Sequence, residues 1–392
     1  MSTAQVASLE PMEDTEPDGR GGPFSATYEK FRQALELAVH PPRVEVGQTP
    51  HRTIYEEDRL KLYRYDTPAG QRTTGRPPVL CIYALINKPY IMDLQPGRSV
   101  VEHLLHRGLD VYLTDWGVPT ELDRDTTIDD YVNGYIDQVV DRVRVASGQP
   151  KVNILGYCMG GSLSAMYAAL HPEKVRTLAL MAAPLVATPT GSLLNAWAQA
   201  KEFDAWKIAR TYGLIPADFF NSAFGMLDPW RSGYYKFHDL MLHMDDREYV
   251  ENFLRMERWT NDGIPMAGPT YAEFVTNLYQ HDLLVKGGWK LGGRELRLSA
   301  ITMPVATIVG LKDNLVPPQM TSRVLEYVGS KDREHFELHT GHIGLSVSRT
   351  SQEHLWPRVA DWFLARNQAT VGTPRPRENP RPGGTRRRTR SK

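Results

Sequence analysis

The sequence predicts an α/β fold, a mostly parallel sheet with helices on both faces, carrying an inserted cap (lid) subdomain. Three observations predict it. Short apolar runs alternate with helical periodicities between Val79 and Ala183 and again after Val305, the rhythm of a parallel sheet joined by crossover helices. One run, Val152 to Leu155, passes through Gly156-Tyr157-Cys158-Met159-Gly160 into the small residues that follow, which reads as strand, sharp turn and helix start. Between 187 and 298 the rhythm stops, and aromatics such as Trp197, Phe219, Phe220, Phe224, Tyr271 and Phe274 crowd among helical patches with no parallel strand.

In chain order, residues 1–25 are rich in Pro, Gly and acids without periodicity, the composition of a disordered leader. The core opens at 26. Apolar positions over Ala26 to Val39 predict an amphipathic helix ended by Pro41-Pro42. Val44 to Tyr65 predicts leading antiparallel strands before the Gly/Pro-rich loop to Pro78. A strand follows at Val79 to Tyr83, a helix at Val100 to Arg107, a strand at Leu109 to Thr114 and a long amphipathic helix at Ile128 to Ala146. The turn-bearing strand and its helix come next, then a strand at Val175 to Ala183, which closes the first part of the core at 186. The cap spans 187–298, and most of its aromatics are expected to fill its own interior. The core resumes over 299–368 with a strand at Val305 to Val309, a helix at Gln319 to Val328, a strand at His335 to His339 and a helix from Ser351 to Arg366. The tail, 369–392, holds eight basic residues from Arg375 onward against the single acid Glu378, a composition that does not fold alone.

Composition excludes several functions. Lys plus Arg and Asp plus Glu both total 46, so no global field favours nucleic acid. Cys81 and Cys158 are the only cysteines, too few for a disulfide framework and compatible with a reducing cytoplasm. No apolar run is long enough to span a bilayer. The sequence has no metal-ligand spacing, phosphate loop or dinucleotide fingerprint, so no cofactor is expected.

The chemistry centres on Cys158. In a Gly-x-nucleophile-x-Gly elbow the central residue sits in strained backbone, and its neighbours two before and two after must lack side chains. Cys158 meets this with Gly156 and Gly160, and a helix N-terminus favours its thiolate. A buried structural cysteine is the plain alternative. A thiol nucleophile needs a base, and the base an orienting acid. Asp313, after the strand ending at Val309, and His342, in Thr340-Gly341-His342-Ile343-Gly344, supply them in the order nucleophile, acid, histidine used by α/β-hydrolases. His335 and His339 are set aside as lying within a strand. Two backbone donors should form an oxyanion hole: the Met159 amide, and one from Tyr83 to Asn87, with Ile86 first and Leu85 second.

Gly156 to Gly161, Leu85 to Leu94, Asp110 to Gly117, Asp129-Asp130-Tyr131, His171 to Arg176, Met256-Glu257-Arg258-Trp259, Asp313 to Pro318 and Gly341 to Gly344 together resemble the polyhydroxyalkanoate (PHA) synthases, over nearly everything from Ile54 to Arg366. Asn314 stands where that family commonly has His. The short chain is similar to catalytic subunits of the two-subunit (class III/IV-like) type. The resemblance implies an acyltransferase that polymerises (R)-3-hydroxyacyl-CoA, most simply 3-hydroxybutyryl-CoA, through an acyl-Cys158 intermediate, with coenzyme A as leaving group. It implies a second subunit of PhaE or PhaR type, a homodimer or larger assembly, and a cytoplasmic place at the surface of polymer granules. A cysteine-dependent thioesterase or polyester hydrolase of the same fold, and a non-catalytic granule-associated scaffold, are the alternatives.

Overall fold

The computed structural model describes residues 28–368 except 29, 31, 33–35, 38, 41, 189–190 and 231–233. The expected leader and basic tail lie outside the described residues, as does much of the helix expected over 26–39. Of that helix, Tyr28, Lys30, Arg32, Glu36, Leu37 and Val39 are helical.

Eight strands form the central sheet: β1 (His51–Glu57), β2 (Leu60–Tyr65), β3 (Pro78–Ile82), β4 (Asp110–Asp115), β5 (Val152–Tyr157), β6 (Val175–Met181), β7 (Val305–Gly310) and β8 (Arg333–Leu338). Their spatial order is β1-β2-β4-β3-β5-β6-β7-β8. The β1–β2 and β2–β4 pairs are antiparallel and the others parallel. Every residue of β3, β5 and β7 is buried, which is why these strands read as unbroken apolar runs rather than alternating ones. The edge strands β1 and β8 carry Arg52, Glu56, Glu57, Arg333, Glu334 and Glu337, charges that discourage pairing with another chain.

From β3 the chain crosses through α1 (Val100–His106) to β4, then returns to lay β5 on the other side of β3. Where strand order reverses in this way, a crevice opens beyond the strand C-termini. The return passes through a π-helical stretch, Asp130–Ile136, that runs into α2 (Asp137–Ser147). Apolar spacing predicts a helix here but does not distinguish α from π hydrogen bonding. After β5 comes α3 (Met159–Leu170), buried on all sides.

Between β6 and β7 lies a largely helical segment whose strands, among the described residues, are two antiparallel two-residue pairs. It includes α4 (Ala205–Tyr212), α5 (Ala217–Gly225), α6 (Arg247–Asn261) and α7 (Gly268–Glu273), the last continuing into a π-helical stretch, Phe274–Gln280. Phe219, Phe220 and Tyr271 pack edge-to-face, with Phe219 5.7 Å from each of the other two rings. Buried Asp282 accepts hydrogen bonds from the Ala187 amide (3.0 Å) and the Thr188 hydroxyl (2.7 Å). It thereby ties the start of the segment to its later half, and the two bonds offset the cost of burying a carboxylate.

Boundaries differ from expectation in several places; the helix expected over Gln319 to Val328 is a short α-helix, Pro318–Ser322, followed by a 3-10 turn, Arg323–Glu326. β8 ends at Leu338, so His339 lies beyond the strand and is exposed. The last helix is two, α8 (Arg349–His354) and α9 (Trp356–Gln368), because Pro357 has no amide to continue the ladder across Leu355.

Candidate active site

Cys158 follows β5 directly and caps α3 with φ 55° and ψ −129°. This backbone region costs a non-glycine residue about 1–3 kcal/mol, and the surroundings hold it there. The Cys158 amide donates to the Met181 carbonyl at 2.9 Å. A Cβ on Gly156 would lie 2.5 Å from the Gly161 Cα, and one on Gly160 2.5 Å from the Tyr83 carbonyl oxygen. The glycines are therefore set by close backbone approach between α3, β5 and the loop after β3.

Because β3, β5, β7 and β8 run parallel, the loops after them leave from one edge of the sheet. Asp313 and His342 meet there, His342 Nδ1 lying 2.6 Å from Asp313 Oδ2. The other Asp313 oxygen accepts from the Leu315 and Val316 amides at 2.9 and 2.8 Å, which locks the carboxylate. An ionised carboxylate only accepts, so Nδ1 carries the proton and Nε2 is left for chemistry. Both residues are nearly closed to solvent. Burial pulls the His342 pKa down, yet the Asp313 charge outweighs it and holds the imidazole well above its ordinary value. His335 instead bonds Thr307 at 2.8 Å within the sheet.

Two cavities meet at Cys158. One, of about 170 Å³, is walled by apolar side chains including Trp197, Phe219, Phe220, Tyr271 and Phe274. The other, of about 620 Å³, is of mixed character: much of its wall is apolar, but Asp313 and His342 line it together with Asn87, Lys236 and Lys312. Ile86 and Cys158 border both. Leu85 is buried and borders neither, so of the two residues considered for the second oxyanion donor, Ile86 is the one that shares a cavity wall with Cys158. Among the described residues, no group of three or more His, Cys, Asp or Glu could hold a metal ion.

Comparison with known proteins places this geometry. Residues 77–347 match a family model described as alpha/beta hydrolase fold, and residues 40–104 match the Poly-beta-hydroxybutyrate polymerase (PhaC) N-terminus. Proteins named Poly(3-hydroxyalkanoate) polymerase subunit PhaC are similar along most of the chain. That of Allochromatium vinosum is 41% identical over 86% of this chain and 94% of its own. The Thiocystis violacea protein is 39% identical over 90% and 99%, and the Haloferax mediterranei protein 45% over 86% and 68%. The chain belongs to the PhaC family of poly(3-hydroxyalkanoate) polymerases.

In this polymerase Tyr157 has a part that sequence reasoning missed. Its hydroxyl donates to the His342 carbonyl at 3.0 Å and its ring stacks on the imidazole at 5.3 Å. Burial pushes its own pKa up to about 12, so it stays a neutral donor. Its place beside Cys158 in the elbow was the available signal. The elbow of the polymerase also gives a stability prediction. Gly160→Ala drives a methyl into backbone atoms that cannot rotate away, so a loss of about 2 kcal/mol or more is expected, read as a lowered urea midpoint.

Proposed function

We propose that the polymerase works through a Cys158 thiolate, with His342 as base and Asp313 orienting it. The sulfur attacks the thioester carbonyl of an (R)-3-hydroxyacyl-CoA, the carbon–sulfur bond to coenzyme A breaks, and the acyl group passes to Cys158. The proton His342 took from the Cys158 thiol leaves with the coenzyme A sulfur, and the neutral imidazole then takes the proton from the 3-hydroxyl of the next unit as that oxygen attacks the acyl carbon, the bond to the Cys158 sulfur breaks and the thiolate re-forms. The Met159 and Ile86 amides would hold the oxyanion in each tetrahedral intermediate.

The observation that carries this reading is the position of Cys158 at the junction of an almost wholly apolar cavity and a larger one of mixed character that also bears Asp313 and His342. The larger one, whose wall includes Lys312 and the Lys236 paired with Glu257, suits the CoA moiety. The apolar one suits the acyl group or growing polyester, and its aromatic walls keep out the water that would hydrolyse the intermediate. Attachment at a polymer granule is supported by the exposed Trp230, Tyr234, Tyr235 and Phe237, and no helix among the described residues is long and apolar enough to cross a membrane. The relatives named as a PhaC subunit support a second subunit of PhaE or PhaR type, in an assembly built on a homodimer or larger unit.

The test is to mix the chain and such a partner with 3-hydroxybutyryl-CoA, quench within a turnover and digest. The peptide bearing Cys158 should carry a 3-hydroxybutyryl adduct, and polymer should accumulate with CoA release. An unmodified Cys158 peptide alongside continuing polymer growth would refute the acyl-cysteine route, and free hydroxy acid as the main product would make the chain a hydrolase.

A further inference from the structure

The two oxyanion amides are held by different parts of the molecule. Met159 opens α3, whose position follows from β5 and the elbow. The loop bearing Ile86 leaves β3, and its early part is held from the core side, where Trp116 Nε1 donates to the Tyr83 carbonyl at 2.9 Å.

From Ile86 onward the hydrogen bonds run to the end of α6 and the residues after it. The Ile264 amide donates to the Ile86 carbonyl at 2.8 Å, and Asn87 forms an isolated antiparallel bridge with Gly263. The Asn87 side chain donates to the Trp259 carbonyl at 3.4 Å, and Trp259 Nε1 returns a bond to the Lys88 carbonyl at 2.9 Å. The Tyr90 hydroxyl donates to Asp262 at 2.5 Å. Trp259 and Ile264 are both buried. This clamp rests in turn on α5, which walls the apolar cavity. A Cβ on Gly263 would lie 3.0 Å from the Ala217 Cβ, and Asn221 donates to the Thr260 carbonyl at 3.4 Å.

We infer that Trp259 and Asp262 are positioning residues for acyl transfer: they hold the loop after β3 so that the Ile86 amide faces the carbonyl carried to Cys158. The inference rests on the reading of Ile86 as an oxyanion donor. The physical reason is local. The Ile86 amide lies one peptide before the clamped Ile86 carbonyl, so releasing the clamp frees the rotation that aims the donor. An oxyanion donor acts only when aimed to within a few tenths of an ångström. The thiolate itself does not depend on this loop, so the clamp should matter for attack on a carbonyl and not for attack on a saturated carbon.

That difference supplies the test. The full chain with its partner is assayed in two ways: first-turnover CoA release from saturating 3-hydroxybutyryl-CoA, and alkylation of Cys158 by iodoacetamide, which forms no oxyanion. Trp259→Phe keeps an aromatic ring and removes the indole donor together with part of the ring's volume. Asp262→Ala removes the acceptor for Tyr90 at a half-exposed position, and Asp262→Asn keeps an acceptor there. Trp259→Phe and Asp262→Ala should each slow first-turnover acylation by about tenfold, a fraction of the loss on removing such a donor outright, with KM and the alkylation rate within about twofold of the parent. Asp262→Asn should restore most of the acylation rate. Alkylation falling in step with acylation, a rise in KM alone, or unchanged acylation in both variants would overturn the inference. A parent protein that forms no acyl adduct on Cys158 would instead remove the proposed mechanism beneath it.

Discussion

Cys158→Ala should abolish CoA release, lowering it by about 10⁴-fold or more, as removal of a nucleophile does in other acyl-transfer enzymes. No other thiol can substitute. Cys81, the second cysteine of the chain, is buried within β3, where burial pushes its pKa up to about 12. The fold should survive, because alanine meets the same backbone strain at φ 55° and the lost sulfur borders two existing cavities. Unfolding free energy is expected to stay within about 1 kcal/mol of the parent. Turnover that persists in a protein of unchanged stability would move the nucleophile elsewhere.

Asp313→Asn should lower polymer elongation by about 10³- to 10⁴-fold, the size of loss that follows when the base is held in the wrong tautomer. The Asn oxygen is still drawn to the Leu315 and Val316 amides, which turns the NH₂ group toward His342 Nδ1. That nitrogen must then accept, the proton moves to Nε2, and the base is disabled. First acylation should suffer less, because a thiol is intrinsically far more acidic than an alcohol and depends less on the base. Single-turnover acylation and steady-state elongation measured side by side check this, and equal losses in both would contradict it.

The same substitution has a signature in stability. Burial lowers the His342 pKa and the Asp313 charge raises it, leaving it well above the ordinary 6.5. A pKa raised on folding contributes stability that is complete below about pH 6.5 and is lost as pH rises through the folded-state value. The urea midpoint of the parent should therefore decline as pH is raised above neutrality, and Asp313→Asn should lose that part of the slope.

Much of the site is legible in the chain because its strongest constraints are local. An elbow needs glycines two before and two after its nucleophile, and Gly156, Cys158 and Gly160 show that need within five residues. The acid and the histidine follow recognisable strands, so Asp313 and His342 stand out with their Gly and Pro neighbours. Other features are invisible at that range. His339 also lies beyond its strand, so strand membership does not exclude it; contact with Asp313 is what distinguishes His342. Ile86 and Leu85 look alike as neighbours in a loop, and only the packing puts Ile86 on the walls of the cavities that Cys158 borders.

By itself, then, the sequence determined the α/β class, the interruption after β6 and the three side chains offered to the chemistry, since each depends on residues a few positions apart. Only the tertiary structure decided the strand order, the meeting of an apolar and a mixed cavity at one sulfur, and the clamp that joins Tyr90 to Asp262 across 172 positions. Such contacts depend on two distant segments folding to one place, and neither segment carries a local pattern that names its partner.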